Sequence, residues 1–522
     1  MNPSSSSRQK LFLMALYLAG IIHWILFICL TVPPSGKERD LPGMLRSPAS
    51  MVKIPSFSFD RGWFIDDNWL IYEKVLTVLK EGIRTGTVPY HVPGFANYGV
   101  MSPSTDSPVG DRLFALPDGW PVSPQILLLP VLSLPAFIIL NWLFLYTLGF
   151  IGCLLIRRRY QLGTIPFTFL FLLFNCNGFA TAHMTIRAPD DLGYFLTPFL
   201  ILLILRASEI DLKEITAQRR VGLWMGLVLA AIWYQGAAHP FIEWVTFLLF
   251  WGLFSWRYWR VALYGFASAF SLCAVRLLPA VLNWGLTPRP HVRIAGTFGY
   301  GSLDRYVDAL VVAHPYVGGD SWGLFDAYVS LWGLFALIYL VLWGPFKGSS
   351  WVRFRSARSL WVPTALVLLL TFRGLKRFIL PDVLPLFNAE TTTSRYMLIP
   401  LTLAIVVAAI NLQGAVEKYG QSKKLRGLML GGLGITALLL LNHSLMWRLW
   451  IAATKSVPWT NQFPVPQIRN DFSDALYVGS VRVGLAISLI SFVMVVGLLV
   501  KLRGRQPVSL VLPTSGKELA QA

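Results

Sequence analysis

The chain has 522 residues, of which 55% are hydrophobic and only 14% are charged, and its formal net charge is +19. A soluble globular domain carries about 25% charged residues, so this composition excludes an ordinary soluble enzyme and indicates a polytopic membrane protein. The basic residues are divided among many short loops instead of forming one continuous patch. The positive charge therefore argues against a nucleic-acid-binding protein.

Apolar runs recur along the chain, each near the roughly 20 residues that a helix needs to cross a bilayer. They predict an all-α polytopic membrane protein with about 12 transmembrane helices. The second run is too long for one straight crossing, so we expect an interfacial piece at residues 123–135, where prolines recur. The predicted spans are residues 11–32, 123–156, 163–182, 192–206, 221–238, 240–256, 261–285, 324–344, 360–372, 396–412, 427–447 and 477–500.

The distribution of basic residues predicts the orientation, because short cytoplasmic loops retain Lys and Arg. With the N-terminus inside, the cytoplasmic segments carry nearly all of the net charge of +19. We expect an integral protein of the bacterial inner (plasma) membrane with both termini cytoplasmic. Residues 1–505 form one predicted integral domain, within which 32–122 is an extracytoplasmic cap loop, and residues 506–522 form a cytoplasmic polar tail.

The cap loop contains the sequence FIDDNWLIYEKVLTVLKEGIRTGTVPY at residues 64–90. Its apolar residues recur at helical spacing, which predicts an amphipathic interfacial helix. Asp66 and Asp67 lie at the predicted helix start, close to where a lipid head group meets water. One Asp is enough to cap a helix, so the cap explanation leaves the second carboxylate without a role. Asp66 and Asp67 are therefore the candidate catalytic residues.

Three further clusters of ionisable residues fall on predicted outer segments. The sequence HMTIRAPDD places an acidic pair beside a base, although helix capping explains one acid nearly as well. Glu243 lies inside the sixth span, where a carboxylate indicates a functional site or an ion pair, with Arg276 as candidate partner. Arg395 lies at the outer mouth of span ten, where it either binds a phosphate or anchors the helix end. The candidate substrate-binding residues are His183, Arg187, Asp190, Asp191, His239, Glu243, Arg373, Lys376, Arg377 and Arg395.

The motif IDDNWLIYEKVLTVLKEGIRTGTVPY resembles the first extracytoplasmic loop of GT-C type membrane glycosyltransferases, in which one or two aspartates precede an interfacial helix. The many-span plan is similar more loosely. The resemblance implies a cell-envelope enzyme, surrounded by membrane lipids, that moves a sugar from a polyprenyl-phosphate donor to a glycan, lipid or protein acceptor. In an inverting version of this reaction Asp66 or Asp67 would be the base, and Arg395 would hold the leaving phosphate.

The chain departs from the family pattern in two respects. We expect no soluble C-terminal domain, and the sequence has no obvious DxD motif, for which Asp190-Asp191 is an imperfect substitute. The use of a divalent cation such as Mg²⁺ or Mn²⁺ therefore stays open. Two other classes also stay open: a transporter or flippase of lipid-linked glycans, and a non-catalytic subunit of a membrane complex.

Single cysteines placed at Ser104 and Ser422 test the predicted topology. We expect an impermeant thiol reagent added to intact cells to label Ser104→Cys and to leave Ser422→Cys unlabelled, because only the first lies in the predicted outer loop. Labelling of both variants after permeabilisation is the control. Labelling of Ser422→Cys alone in intact cells would reject the orientation.

Overall fold

The computed structural model describes residues 3–31, 64–92, 112–115, 122–211, 213–283, 299–313, 322–343, 358–379, 392–454 and 474–503. The chain is 86% helical and forms no strand within these ranges, which confirms the predicted all-α class. The α-helices are α1 (Pro3–Thr31), α2 (Phe64–Thr85), α3 (Leu134–Tyr160), α4 (Thr164–Cys176), α5 (Gly178–Asp191), α6 (Thr197–Glu209), α7 (Ile215–Tyr234), α8 (Ala238–Phe254), α9 (Trp259–Leu272), α10 (Ala274–Asn283), α11 (Leu303–Val311), α12 (Trp322–Phe325), α13 (Leu331–Ile338), α14 (Arg358–Leu370), α15 (Lys376–Ile379), α16 (Leu398–Tyr419), α17 (Lys423–Thr454) and α18 (Ala475–Arg503).

Among the described residues, seven helical stretches are long and apolar enough to cross a membrane, and an eighth qualifies if α9 and α10, bent by 80°, form one span. Three further apolar helices are shorter: Ala238–Phe254, Leu331–Leu342 and Ser359–Leu370. These helices support an integral membrane protein, while the number of spans stays a prediction. The seven stretches are Ser7–Phe27, Leu134–Tyr160, Thr164–Met184, Leu192–Glu209, Thr393–Tyr419, Lys423–Arg448 and Ala475–Arg503.

Two of these helices present broad apolar faces outward. Leu438 of α17 is 70% exposed, and Val493 and Val500 of α18 are 71% and 68% exposed. A soluble monomer rarely exposes a contiguous apolar surface of this size. The outward faces of α17 and α18 are therefore suited to contact with lipid.

The predicted break in the second span is present. Residues Pro124–Leu128 form a separate 3-10 turn, and α3 begins only at Leu134. Ser133 marks this start, because its side chain accepts a hydrogen bond from Ala136 N at 3.4 Å. A side chain that accepts from a free backbone N–H in this way is a helix N-cap.

The loop predicted at residues 183–191, after the third span, is wrong, because these residues belong to helix α5. Asn177 separates α5 from the preceding α4. Its side-chain amide donates to Leu173 O at 2.6 Å, and its side-chain oxygen accepts from Ala180 N at 2.8 Å. One side chain thus caps both the last turn of α4 and the first turn of α5, and the extended backbone of Asn177 is the single residue that separates the two helices.

Hydrogen bonds and one ion pair gather several predicted cytoplasmic loops at one end of the helix bundle, here named the basic end. These contacts come from segments that are far apart in sequence. They agree with the predicted grouping of the basic loops on one side of the membrane. The contacts join Arg159 to Glu209, Tyr258 to Ser208, Ser255 to Ser359, and Gly163 to Gln413.

The opposite end of the bundle is here named the polar end. Helix α17 connects the two: Lys423 is at its basic end, and His443 follows about 30 Å further along the helix axis. That length is close to the thickness of the hydrocarbon core of a bilayer, so a membrane with one boundary at the basic end would have its other boundary near the polar end. The polar end contains Asp191, Tyr300, Asp326, Arg395 and His443.

Helices α7 and α9 pack with their backbones close together. A Cβ atom on Gly222 would lie 2.6 Å from Tyr264 Cβ and 2.8 Å from Val261 O, whereas Gly431 of α17 has open space around it. Small residues at such contacts allow membrane helices to approach closely.

We expect Gly222→Ala to lower the Tm of the detergent-solubilised protein, because the new methyl group forces α7 away from α9. The matched variant Gly431→Ala should leave the Tm unchanged or raise it, since Ala favours a helix over Gly by about 1 kcal/mol where nothing clashes. Differential scanning fluorimetry compares the two. An equal Tm for both variants would contradict the close packing.

Candidate functional site

The polar end buries ionisable side chains of both signs. A charged side chain at the centre of a membrane helix costs about 3 kcal/mol, so such groups are retained mainly where they have a function or a partner. Their concentration at one end marks the candidate site. The exposed fractions are 0% for Glu243, 1% for His183, Asp191, Asp326 and Arg395, 2% for Arg276 and Lys376, and 7% for His239.

Helix α2 begins at Phe64, which places Asp66 and Asp67 within its first turn. Neither acid precedes the helix as an N-cap residue would. Acidic residues in a first turn are favoured by the positive end of the helix dipole. The side chains of both acids lie outside the described residues, so their catalytic role stays a prediction.

The predicted amphipathic character of α2 is confirmed. Val75 and Leu76 are fully buried, while the side chain of Arg84 is 66% exposed. The buried face packs against α5, which carries His183 and Asp191. Helix α2 thus lies against the protein and is fastened there by Lys80, whose Nζ donates to Leu132 O at 2.9 Å.

His183 and Asp191 are brought together inside α5 and its C-terminal end. His183 Nδ1 lies 3.2 Å from Asp191 Oδ2, and the imidazole stacks on Phe179 with 4.0 Å between ring centres. Asp191 makes no capping hydrogen bond through its side chain, so the capping explanation is wrong for this acid. Within the part of the chain that the structure describes, His183 Nε2 and Asp191 Oδ1 have no hydrogen-bond partner.

This arrangement can handle a proton or a hydroxyl group. The carboxylate orients the imidazole through Nδ1 and leaves Nε2 available to accept or donate a hydrogen bond. The side chains of Arg187 and Asp190, which were predicted to share the site, lie outside the described residues.

His239 follows a tight hairpin, as expected from the short break between the predicted spans 221–238 and 240–256, while the placement of this hairpin on the outer side stays a prediction. Helix α7 ends at Tyr234 and α8 begins at Ala238, and Gly236 allows the sharp turn between them with a φ of +88°. His239 and Glu243 follow within the first turns of α8. They lie toward the polar end because the other end of α8 meets the basic end at Ser255.

Glu243 and Arg395 lie on neighbouring elements. One turn beyond Glu243, Thr246 Oγ1 lies 3.5 Å from the hydroxyl of Tyr396, the residue after Arg395. Arg276 lies over the ring of Trp233, 5.4 Å from its centre. The predicted pairing of Glu243 with Arg276 stays a prediction.

Arg395 belongs to the 3-10 turn Thr393–Met397 that leads into α16. A snorkelling side chain keeps its charge in water, so the 1% exposure of Arg395 argues against the anchoring alternative. Tyr300 brings a second basic segment to this turn: its N–H donates to Thr371 O at 3.0 Å, and its carbonyl accepts from Arg373 N at 2.9 Å.

Not every member of the predicted basic cluster is buried at one site. Arg373 is exposed and Lys376 is buried, with 2% of its surface accessible. The side chain of Arg377 lies outside the described residues. Arg395 and Lys376 are therefore the buried cations that the described structure offers to an anion at this position.

Asp326 is the functional candidate that sequence reasoning missed. Its Oδ2 atom lies 2.8 Å from His443 Nε2 and accepts a hydrogen bond from Trp447 Nε1 at 2.7 Å. Its Oδ1 atom accepts from Tyr328 N at 2.9 Å, and the Tyr328 ring stacks on His443. A signal was present, because Asp326 and His443 are ionisable residues within predicted spans, and such residues indicate a paired or functional site.

Metal binding has no complete ligand set in the described residues. They contain no group of three or more His, Cys, Asp or Glu side chains that could hold an ion. His183 and Asp191 supply two candidate ligands only.

Comparisons of the chain with protein-family models, with curated proteins and with solved structures found no match. The function is therefore inferred from two features. These are the buried ionisable residues of the polar end and the resemblance of the first loop.

Proposed function

We propose that the chain is a GT-C-like membrane glycosyltransferase that moves a sugar from a polyprenyl-phosphate donor to a glycan, lipid or protein acceptor on the extracytoplasmic side. The observation that carries this proposal is the burial of Asp191, Lys376, Arg395 and other ionisable residues at one end of a helical membrane protein. A lipid-linked donor places its phosphate at the membrane boundary, where buried cations bind it well. The first-loop motif supports the same activity.

In this proposal the chain crosses the bacterial inner membrane about twelve times, with both termini in the cytoplasm. The polar end then faces the extracytoplasmic side, together with the cap loop of residues 32–122. Support comes from the shared basic end, because loops rich in Lys and Arg are retained in the cytoplasm.

The proposed reaction is an inverting displacement. Asp66 or Asp67 takes the proton from the acceptor hydroxyl as its oxygen forms a bond to the sugar anomeric carbon. The bond from that carbon to the phosphate oxygen breaks, and the polyprenyl phosphate leaves with the negative charge. Arg395 and Lys376 stabilise this charge. His183 and Asp191 lie on the helix against which α2 packs, a position that suits them to hold the acceptor.

A transporter or flippase of lipid-linked glycans is the second candidate, favoured by the broken helices. The chain bends by 80° between α9 and α10, and α4 and α5 are separated at Asn177. Transporters often use broken helices around a binding site near the membrane midplane. The buried ionisable residues here lie at one end of the bundle instead, which favours an enzyme at the membrane boundary. A non-catalytic subunit would leave these residues without a role.

Arg395→Lys tests the phosphate subsite. Arg donates two parallel hydrogen bonds to a phosphate and Lys does not, so we expect the KM for a synthetic polyprenyl-phosphate sugar to rise about tenfold, equivalent to about 1.4 kcal/mol. Arg426→Lys, an exposed change on the first turn of α17, is the matched control and should leave the KM unchanged. A parental KM for Arg395→Lys would remove the phosphate role.

Asp66→Asn and Asp67→Asn test the proposed base. Asn retains the size of the side chain and removes the charge that accepts a proton. If one acid is the base, its Asn variant should bind donor normally and lose on the order of a hundredfold in transfer rate. Single-turnover transfer of a radiolabelled sugar measures this loss. Parental rates in both variants would leave the transporter as the better proposal.

A further inference from the structure

The segment of residues 324–330 consists of the last two residues of α12 and the non-helical stretch that leads to α13, and it is fastened to α17 through Asp326. His443 and Trp447 lie four residues apart, so both side chains project from one face of α17. Both approach the same carboxylate oxygen, while the other oxygen accepts from Tyr328 N within the segment itself. A single carboxylate therefore determines how this segment lies against α17.

Backbone hydrogen bonds hold the segment against two further helices. Tyr328 O accepts from Gly178 N at the start of α5, at 2.7 Å. Ala327 N and Val329 N donate to carbonyls at the end of α11 at 3.0 and 2.9 Å. Ser330 has a φ of +70°, which a residue other than Gly adopts only where its surroundings impose it. The segment is thus held in one strained conformation from several sides.

Two hydrogen bonds lead from this segment to the basic residues of the candidate site. Ser394 Oγ, adjacent to Arg395, donates to Leu324 O at 2.6 Å. The hydroxyl of Tyr300 donates to Phe325 O, also at 2.6 Å. Burial raises the pKa of Tyr300 well above its usual range, so this hydroxyl keeps its proton and stays a donor.

The carbonyls that hold the two basic elements therefore belong to the residues immediately before Asp326. The backbone hydrogen bond from Arg373 N to Tyr300 O fixes the position of Arg373 relative to Tyr300. Ser394 and Arg395 are adjacent in the same 3-10 turn, so the position of Ser394 fixes that of the Arg395 backbone. A shift of Asp326 would displace both elements together.

We propose that Asp326 is a positioning residue: held by His443 and Trp447, it sets the places of Arg395 and of the segment of residues 371–376, which carries Lys376, at a subsite for the phosphate of a polyprenyl lipid. A buried carboxylate–imidazole pair is weak evidence for stability, because well-packed apolar residues often replace such pairs without loss. The need to hold the 324–330 segment in one geometry explains the buried pair better than a gain in stability does. The identity of the ligand rests on the proposed function, whereas the positioning of the two basic elements does not.

Asp326→Asn tests this inference in the full-length protein reconstituted in nanodiscs. The amide keeps the size of the carboxylate but places an NH₂ group where an oxygen accepted hydrogen bonds, so the three bonds cannot all persist. We expect amide hydrogen exchange to accelerate about tenfold in residues 371–376 and 392–397, and to stay unchanged at the basic end around Gly163. The Kd for a synthetic polyprenyl phosphate should rise about tenfold while the transfer rate of the saturated enzyme changes little.

Asn411→Leu is the matched control, because it removes a buried hydrogen bond from Asn411 Nδ2 to Leu340 O (2.6 Å) that has no link to the segment. This control should lower the Tm and leave the Kd unchanged. Tyr300→Phe removes a single hydroxyl and serves if Asp326→Asn does not fold. It should accelerate exchange in residues 371–376 and leave residues 392–397 unchanged.

If residues 371–376 and 392–397 of Asp326→Asn exchange their amide hydrogens at the parental rate, the positioning role is overturned. It is also overturned if Asn411→Leu raises the Kd as much as Asp326→Asn does. If Tyr300→Phe is the variant used, amide exchange at the parental rate in residues 371–376 overturns the positioning role. Failure of the parental protein to bind polyprenyl phosphate would instead refute the proposed function. The exchange measurements decide the role of Asp326 in either case.

Discussion

A carboxylate removed from water is tolerated only where hydrogen-bond donors replace the water, and Asp326 is surrounded by such donors from two elements. Its contacts with His443, Trp447 and Tyr328 bring α17 and the 324–330 segment into one arrangement. The same segment contacts α5, which carries His183 and Asp191. The geometry of the polar end thus depends on satisfying one buried charge.

The two ends of the bundle differ in how far their charged side chains are exposed to water. At the basic end, the paired side chains of Arg159 and Glu209 remain 43% and 28% exposed, and water screens such pairs. At the polar end, Asp191, Asp326 and Arg395 are each about 1% exposed. Charges held away from water interact more strongly with a ligand, which is the property that binding and transfer of a phosphate-linked sugar require.

Local patterns in the sequence predicted local structure well. The helical spacing of Val75 and Leu76 was enough to predict the buried face of α2, because amphipathic periodicity depends only on nearby residues. Residues 183–191 of α5 were assigned to a loop, because ionisable residues follow the apolar run there. The presence of α5 depends on Asn177, whose double capping role is visible only in three dimensions.

Contacts between distant residues could not be predicted in this way. Asp326 and His443 are 117 positions apart, and Arg112 donates to Asp474, 362 positions away, at 2.6 Å. The cost of an ionisable residue within a span could have marked Asp326 and His443, but it gives no means of choosing their partners. Sequence reasoning did choose His183 and Asp191 as part of one cluster, because they fall within one short stretch of chain.

Photo-crosslinking with a polyprenyl phosphate that carries a photoreactive group beside the phosphate tests the central claim most directly. Mass spectrometry of the nanodisc-reconstituted protein identifies the labelled peptides. The account predicts that label concentrates on α5 and on the segments around Arg373 and Arg395, and that unlabelled polyprenyl phosphate displaces it. Label spread over the lipid-facing surfaces of α17 and α18, without displacement by competitor, would contradict a phosphate subsite at the polar end.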